Sequence, residues 1–306
     1  MNDLINVTKK TMGRVYDHLE KTELGKHSEW IIKGTSIFAP GEKSVKKLPS
    51  GFYEMYRDPY GTYLELKSTM SDELYLLPSD EMQEIIEDIK NFWNNKETYN
   101  LYQFVHKRGI LMYGKPGNGK SGIIQLISKY LIEEQNGIII NITNAEKLSD
   151  YDKIVGQLRE IEPDRPLIVI LEDLDAMIDE DSWIISTALN LLDGVKQISN
   201  VVYIATTNYP EKLEDRITNR PSRFDRKYEI PLPNAAIRKE YIKCKLTSSD
   251  LEKINLNKWV SETEGMSLAH LKELIISVIV LKNTFEDTIN RLNGMKKSTK
   301  TEIKID

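Results

Sequence analysis

Eight residues in the middle of the chain, 114–121, have the types and spacing of a loop that binds the phosphates of a nucleoside triphosphate. Their sequence, GKPGNGKS, fits the pattern G-x-x-x-x-G-K-[ST]. Glycines let the backbone turn tightly, so that successive N–H groups point at an anion. We predict that Lys120 binds the β- and γ-phosphates and that Ser121 coordinates Mg²⁺. The predicted nucleotide-binding residues of this phosphate-binding loop are Gly114, Lys115, Pro116, Gly117, Asn118, Gly119, Lys120, Ser121 and Gly122.

A second group with chemical potential is the pair of adjacent carboxylates Glu172 and Asp173. They follow the apolar run LIVIL at 167–171, which predicts a strand buried on both faces. Ligands of open α/β sheets bind at the carboxyl ends of the strands. Beside bound phosphates, one carboxylate would hold Mg²⁺ and the other would polarise the attacking water. The alternative is an ordinary strand that ends in solvated acids, and Asp175 is expected only to cap or contact a neighbour.

The elements around these residues predict an α/β fold. An apolar strand-like run precedes the phosphate-binding loop and a helical pattern follows it, which is the order that phosphate binding requires. From about 81 to 232, helices and strands alternate, as in a parallel sheet covered by helices. Beyond this region helical patterns dominate, at 235–246, 250–263 and 267–282. The predicted strands are 109–113, 138–142, 167–171, 201–206 and 227–230.

Four stretches together resemble the AAA ATPases, and among them the protein-remodelling clade. Residues 114–121 correspond to Walker A, 167–173 to Walker B, 205–208 to sensor 1 and 219–226 to the second region of homology. The resemblance covers about 81–282. It implies a P-loop NTPase fold with a parallel sheet and a C-terminal helical lid, and it implies ATP and Mg²⁺ as cofactors.

The resemblance also implies roles for individual residues. Glu172 matches the Mg²⁺ carboxylate, Asp173 the group that activates water, and Asn208 the sensor that hydrogen-bonds the attacking water or the γ-phosphate. Arg220 and Arg223 match two arginines that reach into the site of a neighbouring subunit, where a guanidinium stabilises the transferring phosphoryl group. The alternative for both arginines is a surface ion pair or a helix cap.

In several places the sequence departs from the family pattern. Most members read Asp-Glu where this chain reads Glu172-Asp173, an order similar to the branch of the mitochondrial Rieske-protein translocase. The aspartate side chain at the water-activating position is one methylene shorter than glutamate. Slow ATP hydrolysis, and with it the role of an ATP-dependent scaffold or switch, therefore remains an alternative. Leu268 replaces a usual glycine in the sensor 2 segment, and Ala269, a predicted nucleotide contact, stands where other clades carry an arginine.

Two tyrosines are weaker candidates. The resemblance places Tyr241 against the adenine, although packing within a helix is the alternative. Tyr151 falls where the family has an aromatic residue that grips polypeptide in a central pore, but no glycine follows it closely. Packing on its own chain is the alternative reading of Tyr151.

Composition limits the setting. The chain has 306 residues, a formal charge of -5 and a pI near 5.6, so no global basic field indicates nucleic acid. A single cysteine, Cys244, and the lack of a long apolar run predict a cytoplasmic protein without a membrane anchor. The resemblance implies a homo-oligomeric ring, either a hexamer or a heptamer, that acts on a protein client. A DNA-directed loader is the third alternative.

The predicted organisation has four regions. Residues 1–80 are an N-terminal α+β adaptor or recruitment region, in which 52–56 and 62–66 form a β-hairpin. Residues 81–232 form the large α/β ATPase domain, 233–283 the lid, and 284–306 a polar and flexible tail.

Overall fold

The computed structural model describes residues 29–33, 37–41, 45–58, 61–67, 77–143, 145–179, 192, 198–213 and 223–298. The chain divides into two compact units. The first contains Met1–Thr69 and Tyr130–Ile170, and the second contains Met70–Lys129 and Leu171–Asp306. Across the described ranges, we find no helix of the length and apolar character needed to cross a membrane.

Most strands lie in one sheet. The strands are β1 (Glu29–Lys33), β2 (Ile37–Gly41), β3 (Gly51–Asp58), β4 (Gly61–Lys67), β5 (Lys107–Tyr113), β6 (Ile138–Ile142), β7 (Leu167–Leu171), β8 (Val201–Thr207) and β9 (Arg226–Glu229). Seven of them are ordered β4-β3-β6-β7-β8-β5-β9, and β1 and β2 pair separately as an antiparallel ribbon. The predicted α/β fold with a largely parallel sheet is confirmed.

In the first unit, β3 and β4 pair antiparallel, which confirms the predicted hairpin. The other edge of β3 pairs parallel with β6. The hairpin therefore belongs to the main sheet, and the predicted boundary at residue 80 is wrong for 51–67. Tyr53 and Met55 explain this placement, because they alternate with more exposed residues along β3 and are almost completely buried.

A buried ion pair holds the chain where it enters β3. The helix α4 (Ala145–Ile161) is followed by Glu162, whose carboxylate accepts from the backbone N–H of Leu48 at 2.8 Å. Arg165 lies 3.3 Å from the same carboxylate and donates to the carbonyl oxygen of Leu48 at 2.8 Å. Both side chains are largely buried, so each depends on the other for neutralisation.

We expect Glu162→Ala to lower the free energy of unfolding by about 3 kcal/mol, because it leaves the Arg165 guanidinium buried without its carboxylate. Urea-induced unfolding measures this loss. Glu160→Ala is the matched control, since Glu160 lies exposed near the end of α4, two residues before Glu162, and its replacement should change the free energy little. Equal effects of the two changes would contradict the assignment.

The second unit carries β5, β8 and β9, with β5 parallel to both of the others. The helices in front of β5 are α1 (Asp80–Asn94) and α2 (Lys96–Leu101). Ser79 caps α1 by accepting from the N–H of Met82 at 3.3 Å. The helix α3 (Lys120–Glu134) begins in this unit directly after the phosphate-binding loop, and α5 (Leu174–Asp179) follows β7.

The C-terminal part of the second unit is a helical lid, built from α6 (Ala235–Lys245), α7 (Ser248–Lys253), α8 (Leu256–Glu262), α9 (Leu268–Ile275) with a π-helical turn at Ile276–Val280, and α10 (Phe285–Ser298). The single helix predicted at 250–263 is divided into α7 and α8. Asn255 lies between them and caps α8 by accepting from the backbone N–H of Lys258. The buried hydrophobic cluster of the lid consists of Ile242, Leu246, Trp259, Met266, Leu274, Ile275, Ile289 and Leu292.

The prediction of a flexible tail is wrong for 285–298. These residues form α10, and Ile289 and Leu292 are buried in the lid cluster. Phe285, Ile289 and Leu292 recur at helical spacing, but the polar residues between them mask the signal. Residues 299–306 lie outside the described part of the chain.

Candidate active site

The phosphate-binding loop has a backbone conformation that requires glycine. Gly114 has φ +146° and Gly117 has φ +79°, both in a region that other residues rarely adopt. A Cβ atom at Gly114 would also collide with the carbonyl oxygen of Ile230. Asn118 closes the loop from within, because its side-chain amide donates to that same carbonyl at 3.0 Å. The loop is thus fixed against the chain that follows β9.

The lid contacts the loop through the start of α9. Ser267 caps this helix. The N–H of Ala269, one of the first-turn groups without an acceptor inside a helix, donates to the carbonyl oxygen of Gly117 at 3.1 Å. The side chain of Leu268 packs over Gly119, where an added Cβ atom would lie 2.9 Å from its Cδ1. The lid residues of the predicted sensor 2 segment therefore lie beside the phosphate-binding loop.

Lys120 lies under the loop and is 7% exposed. Its ammonium donates to the carbonyl oxygens of Gly114 at 2.6 Å and Lys115 at 3.3 Å. It also donates to Oδ1 of Asn208 at 2.7 Å. Burial lowers the pKa of Lys120, whereas the nearby carboxylate of Asp173 raises it. A cation held in this way is positioned to bind an anion at the mouth of the loop.

Asn208 joins Lys120 to one of the two predicted carboxylates. While its Oδ1 accepts from Lys120, its Nδ2 donates to Oδ1 of Asp173 at 3.0 Å. Asp173 is exposed and has φ +50°, a left-handed conformation that aspartate and asparagine tolerate better than most residues. Its N–H donates to the hydroxyl of Thr206 at 3.1 Å. The carboxyl ends of β7 and β8 thus place a carboxylate and an amide together.

The predicted Mg²⁺ ligands also meet. The hydroxyl of Ser121 donates to Oε2 of Glu172 at 3.3 Å. Burial raises the pKa of Glu172, and the neighbouring Asp173 raises it further, while the hydrogen bond from Ser121 lowers it. A hydroxyl and a single carboxylate suit Mg²⁺, which keeps several waters and takes phosphate oxygens as further ligands. No cluster of three or more metal-ligating side chains occurs within the described ranges.

The sequence assigned no catalytic role to Asp175, yet the structure places it directly behind the site. Its Oδ1 accepts from the hydroxyl of Thr207 at 2.5 Å and from the N–H of Asn208 at 3.3 Å. The expectation that Asp175 contacts a neighbour is therefore confirmed. Its position two residues after Asp173 indicated from the sequence that it lies near the site. Only the fold shows that the group it contacts is the end of β8.

The structure also shows the surroundings of three further candidates. Tyr151 is 1% exposed within α4, as the alternative of packing on its own chain expected, and its side chain is not displayed for a pore. Tyr241 is partly buried against the lid cluster, as the packing alternative expected. Arg223 is 7% exposed and its backbone lies against Gly109. Arg220 lies outside the described residues, and the roles of both arginines stay predictions.

Comparison with known proteins adds an independent finding about 110–232. These residues match the model of the ATPase family associated with various cellular activities (AAA). The matched segment contains the phosphate-binding loop, both carboxylates and Asn208.

Individual relatives extend over more of the chain. The chain is 31% identical to the proteasome-activating nucleotidase of Thermococcus onnurineus over 210 residues, covering 63% of this chain and 52% of the relative. It is 28% identical to the ATP-dependent zinc metalloprotease FtsH 2 of Thermoanaerobacter over 244 residues, covering 71% and 47%. A proteasome-activating nucleotidase of Methanothermobacter thermautotrophicus is 27% identical over 270 residues, covering 79% and 65%.

The chain spans about half to two thirds of the length of these curated relatives. They support the likeness to ATPases of the remodelling clade. The likeness of Glu172-Asp173 to the Rieske-translocase branch has no support from them.

Proposed function

We propose, from the premise that 110–232 form an AAA domain, that this chain is an Mg²⁺-dependent ATPase that assembles into a ring and remodels a protein partner. One observation carries the proposal. A continuous chain of hydrogen bonds runs from Lys120 through the amide of Asn208 to the carboxylate of Asp173. It joins the part of the site that binds phosphate to the part that would activate water.

Each residue has a distinct task in this proposal. Lys120 exchanges its carbonyl partners for the β- and γ-phosphate oxygens of ATP, and the backbone N–H groups of the loop bind the remaining charge. Asp173 accepts a proton from the attacking water, while Asn208 orients that water or the γ-phosphate. Ser121 and Glu172 would hold Mg²⁺, which would neutralise charge on the phosphate oxygens.

A ring and a protein partner are the finer part of the proposal. Relatives named proteasome-activating nucleotidase support assembly around a protein substrate, and a hexamer is the first expectation, with a heptamer second. A ring would let Arg220 and Arg223 complete the site of a neighbouring copy. This role requires that Arg223 become exposed to that neighbour, since it is largely buried in the single chain.

Phosphate release from ATP tests the proposal. We expect release that EDTA abolishes and Mg²⁺ restores, with a specific activity that rises with protein concentration because neighbouring copies complete each site. No phosphate release above that of a Lys120→Ala variant would overturn the ATPase assignment, and a rate unchanged by EDTA would overturn its dependence on Mg²⁺. A specific activity that is constant over a hundredfold concentration range, in a protein that sediments as a monomer with ATP, would overturn the ring alone.

A scaffold or switch with little turnover is the second candidate, and one observation favours it. The water-activating position carries aspartate, whose carboxylate is one methylene shorter than glutamate and is already held by Asn208. Tight ATP binding and ATP-dependent assembly without phosphate release would support this candidate over the first.

A further inference from the structure

Asp175 is a buried acid with an unusual set of contacts. It lies in the first turn of α5 and is 5% exposed, although aspartate is among the residues least often buried. A buried carboxylate is costly unless hydrogen bonds satisfy it. Two donors do so here, and both belong to the carboxyl end of β8 rather than to the helix that carries Asp175.

Both donors come from the segment that carries Asn208. The hydroxyl of Thr207 donates to Asp175 at 2.5 Å and accepts from the N–H of Tyr209 at 3.0 Å. The N–H of Asn208, which lies just past the last residue of β8, donates to the same carboxylate oxygen at 3.3 Å. Asp175 therefore fixes the backbone at 207–209, on both sides of Asn208, whose side chain bridges Lys120 and Asp173.

Helix capping does not account for these contacts. The carbonyl oxygen of Asp173 already accepts from the N–H groups of Ala176 and Met177, so the start of α5 is closed without the Asp175 side chain. The carboxylate points instead at β8. Its charge also raises the pKa of Lys120, which places it within electrostatic reach of the phosphate-binding residues.

We propose that Asp175 is a positioning residue that holds Asn208 in the orientation in which its amide bridges Lys120 and Asp173. This inference rests on the proposed function, because it assigns Asp175 to the hydrolytic step. Without the carboxylate, the backbone N–H of Asn208 loses its acceptor and the amide is free to turn away. Nucleotide binding depends on the loop and on Lys120, so the effect falls on kcat rather than on KM.

Steady-state ATP hydrolysis by Asp175→Ala and Asp175→Asn tests the proposal. Asp175→Ala removes the acceptor, and we expect kcat to fall about 10- to 100-fold, as small misplacements of reacting groups do. KM should change less than about threefold. Asp175→Asn keeps an accepting oxygen and should retain most of the activity. Equal losses in the two variants would assign the effect to charge and overturn the proposal, and so would a wild-type kcat in Asp175→Ala.

A double-mutant cycle separates positioning from general damage. If Asp175 acts through Asn208, then Asp175→Ala should lower kcat less than about threefold in an Asn208→Ala background. A full, additive loss in that background would contradict the proposal. Glu211→Ala is the control, because Glu211 is an exposed acid three residues beyond Asn208 and should leave kcat unchanged.

Failure of the two proposals can be told apart. Wild-type hydrolysis that depends on Lys120, together with an unaffected Asp175→Ala, overturns the role of Asp175 alone. If the wild type does not hydrolyse ATP, the proposed function fails, and a crystal structure of Asp175→Ala still decides the positioning role. An Asn208 amide that remains about 3.0 Å from Asp173 would then overturn it.

Discussion

Replacing Lys120 by alanine is expected to weaken ATP binding and to lower hydrolysis by at least about a hundredfold, as the loss of a preorganised electrostatic partner does. Lys120 is the buried cation of the phosphate-binding loop, and it is held by two loop carbonyl oxygens and Asn208. Because the Lys120 side chain is largely removed from water, its interaction with phosphate is strong. Binding of a fluorescent ATP analogue and phosphate release measure the two effects.

Lys115 provides a matched control within the same loop. It carries the same charge five residues earlier, but its side chain is exposed. Only its backbone carbonyl oxygen contacts Lys120, from which it accepts a hydrogen bond. Lys115→Ala keeps the backbone N–H groups with which the loop is expected to bind phosphate, and exposed charges are well screened, so affinity and hydrolysis should stay within about threefold of wild type. A Lys120→Ala protein that binds ATP as tightly as Lys115→Ala would contradict the assigned role. Thermal unfolding of both variants excludes loss of the fold as the cause.

The phosphate-binding loop and its sheet could be predicted because their signals are local. Positive φ at Gly114 and Gly117 and the apolar runs of β6, β7 and β8 all follow from neighbouring residues. The resemblance assigned Asp173 and Asn208 to roles around the same attacking water, and the carboxyl ends of β7 and β8 place the two side chains within hydrogen-bond distance.

Features that depend on distant pairing could not be predicted in the same way. The β3–β4 hairpin was recognised, but its place in the sheet depends on the pairing of β3 with β6, more than 80 residues further along the chain. Burial of Tyr151 depends on which face of α4 packs inward, and a single aromatic residue within a helical pattern gives no such information. Asp175 acquires its role only because β8 ends beside α5.

Replacing Asp173 by asparagine is expected to have the second large effect, which separates binding from chemistry. Hydrolysis should fall about 10²- to 10⁴-fold, the usual contribution of a general base. ATP affinity should stay within about threefold, because Lys120 and the loop are unchanged. Asparagine tolerates the left-handed backbone at φ +50° as aspartate does, and its carbonyl oxygen can still accept from Asn208. The variant therefore removes the base and leaves the geometry in place.

Two readouts make the Asp173→Asn experiment decisive. Single-turnover phosphate release should be slow while bound ATP persists, and a protein partner captured in the ATP state should remain held. Asp152→Asn, at an exposed position of α4, is the control and should behave as wild type. Hydrolysis within tenfold of wild type would show that Asp173 is not the base and would transfer that task to Glu172.

The variant Glu172→Gln tells the two carboxylates apart. Because Glu172 accepts from Ser121 at the predicted Mg²⁺ position, this change should reduce the effect of Mg²⁺ on ATP binding, whereas Asp173→Asn should leave that effect unchanged.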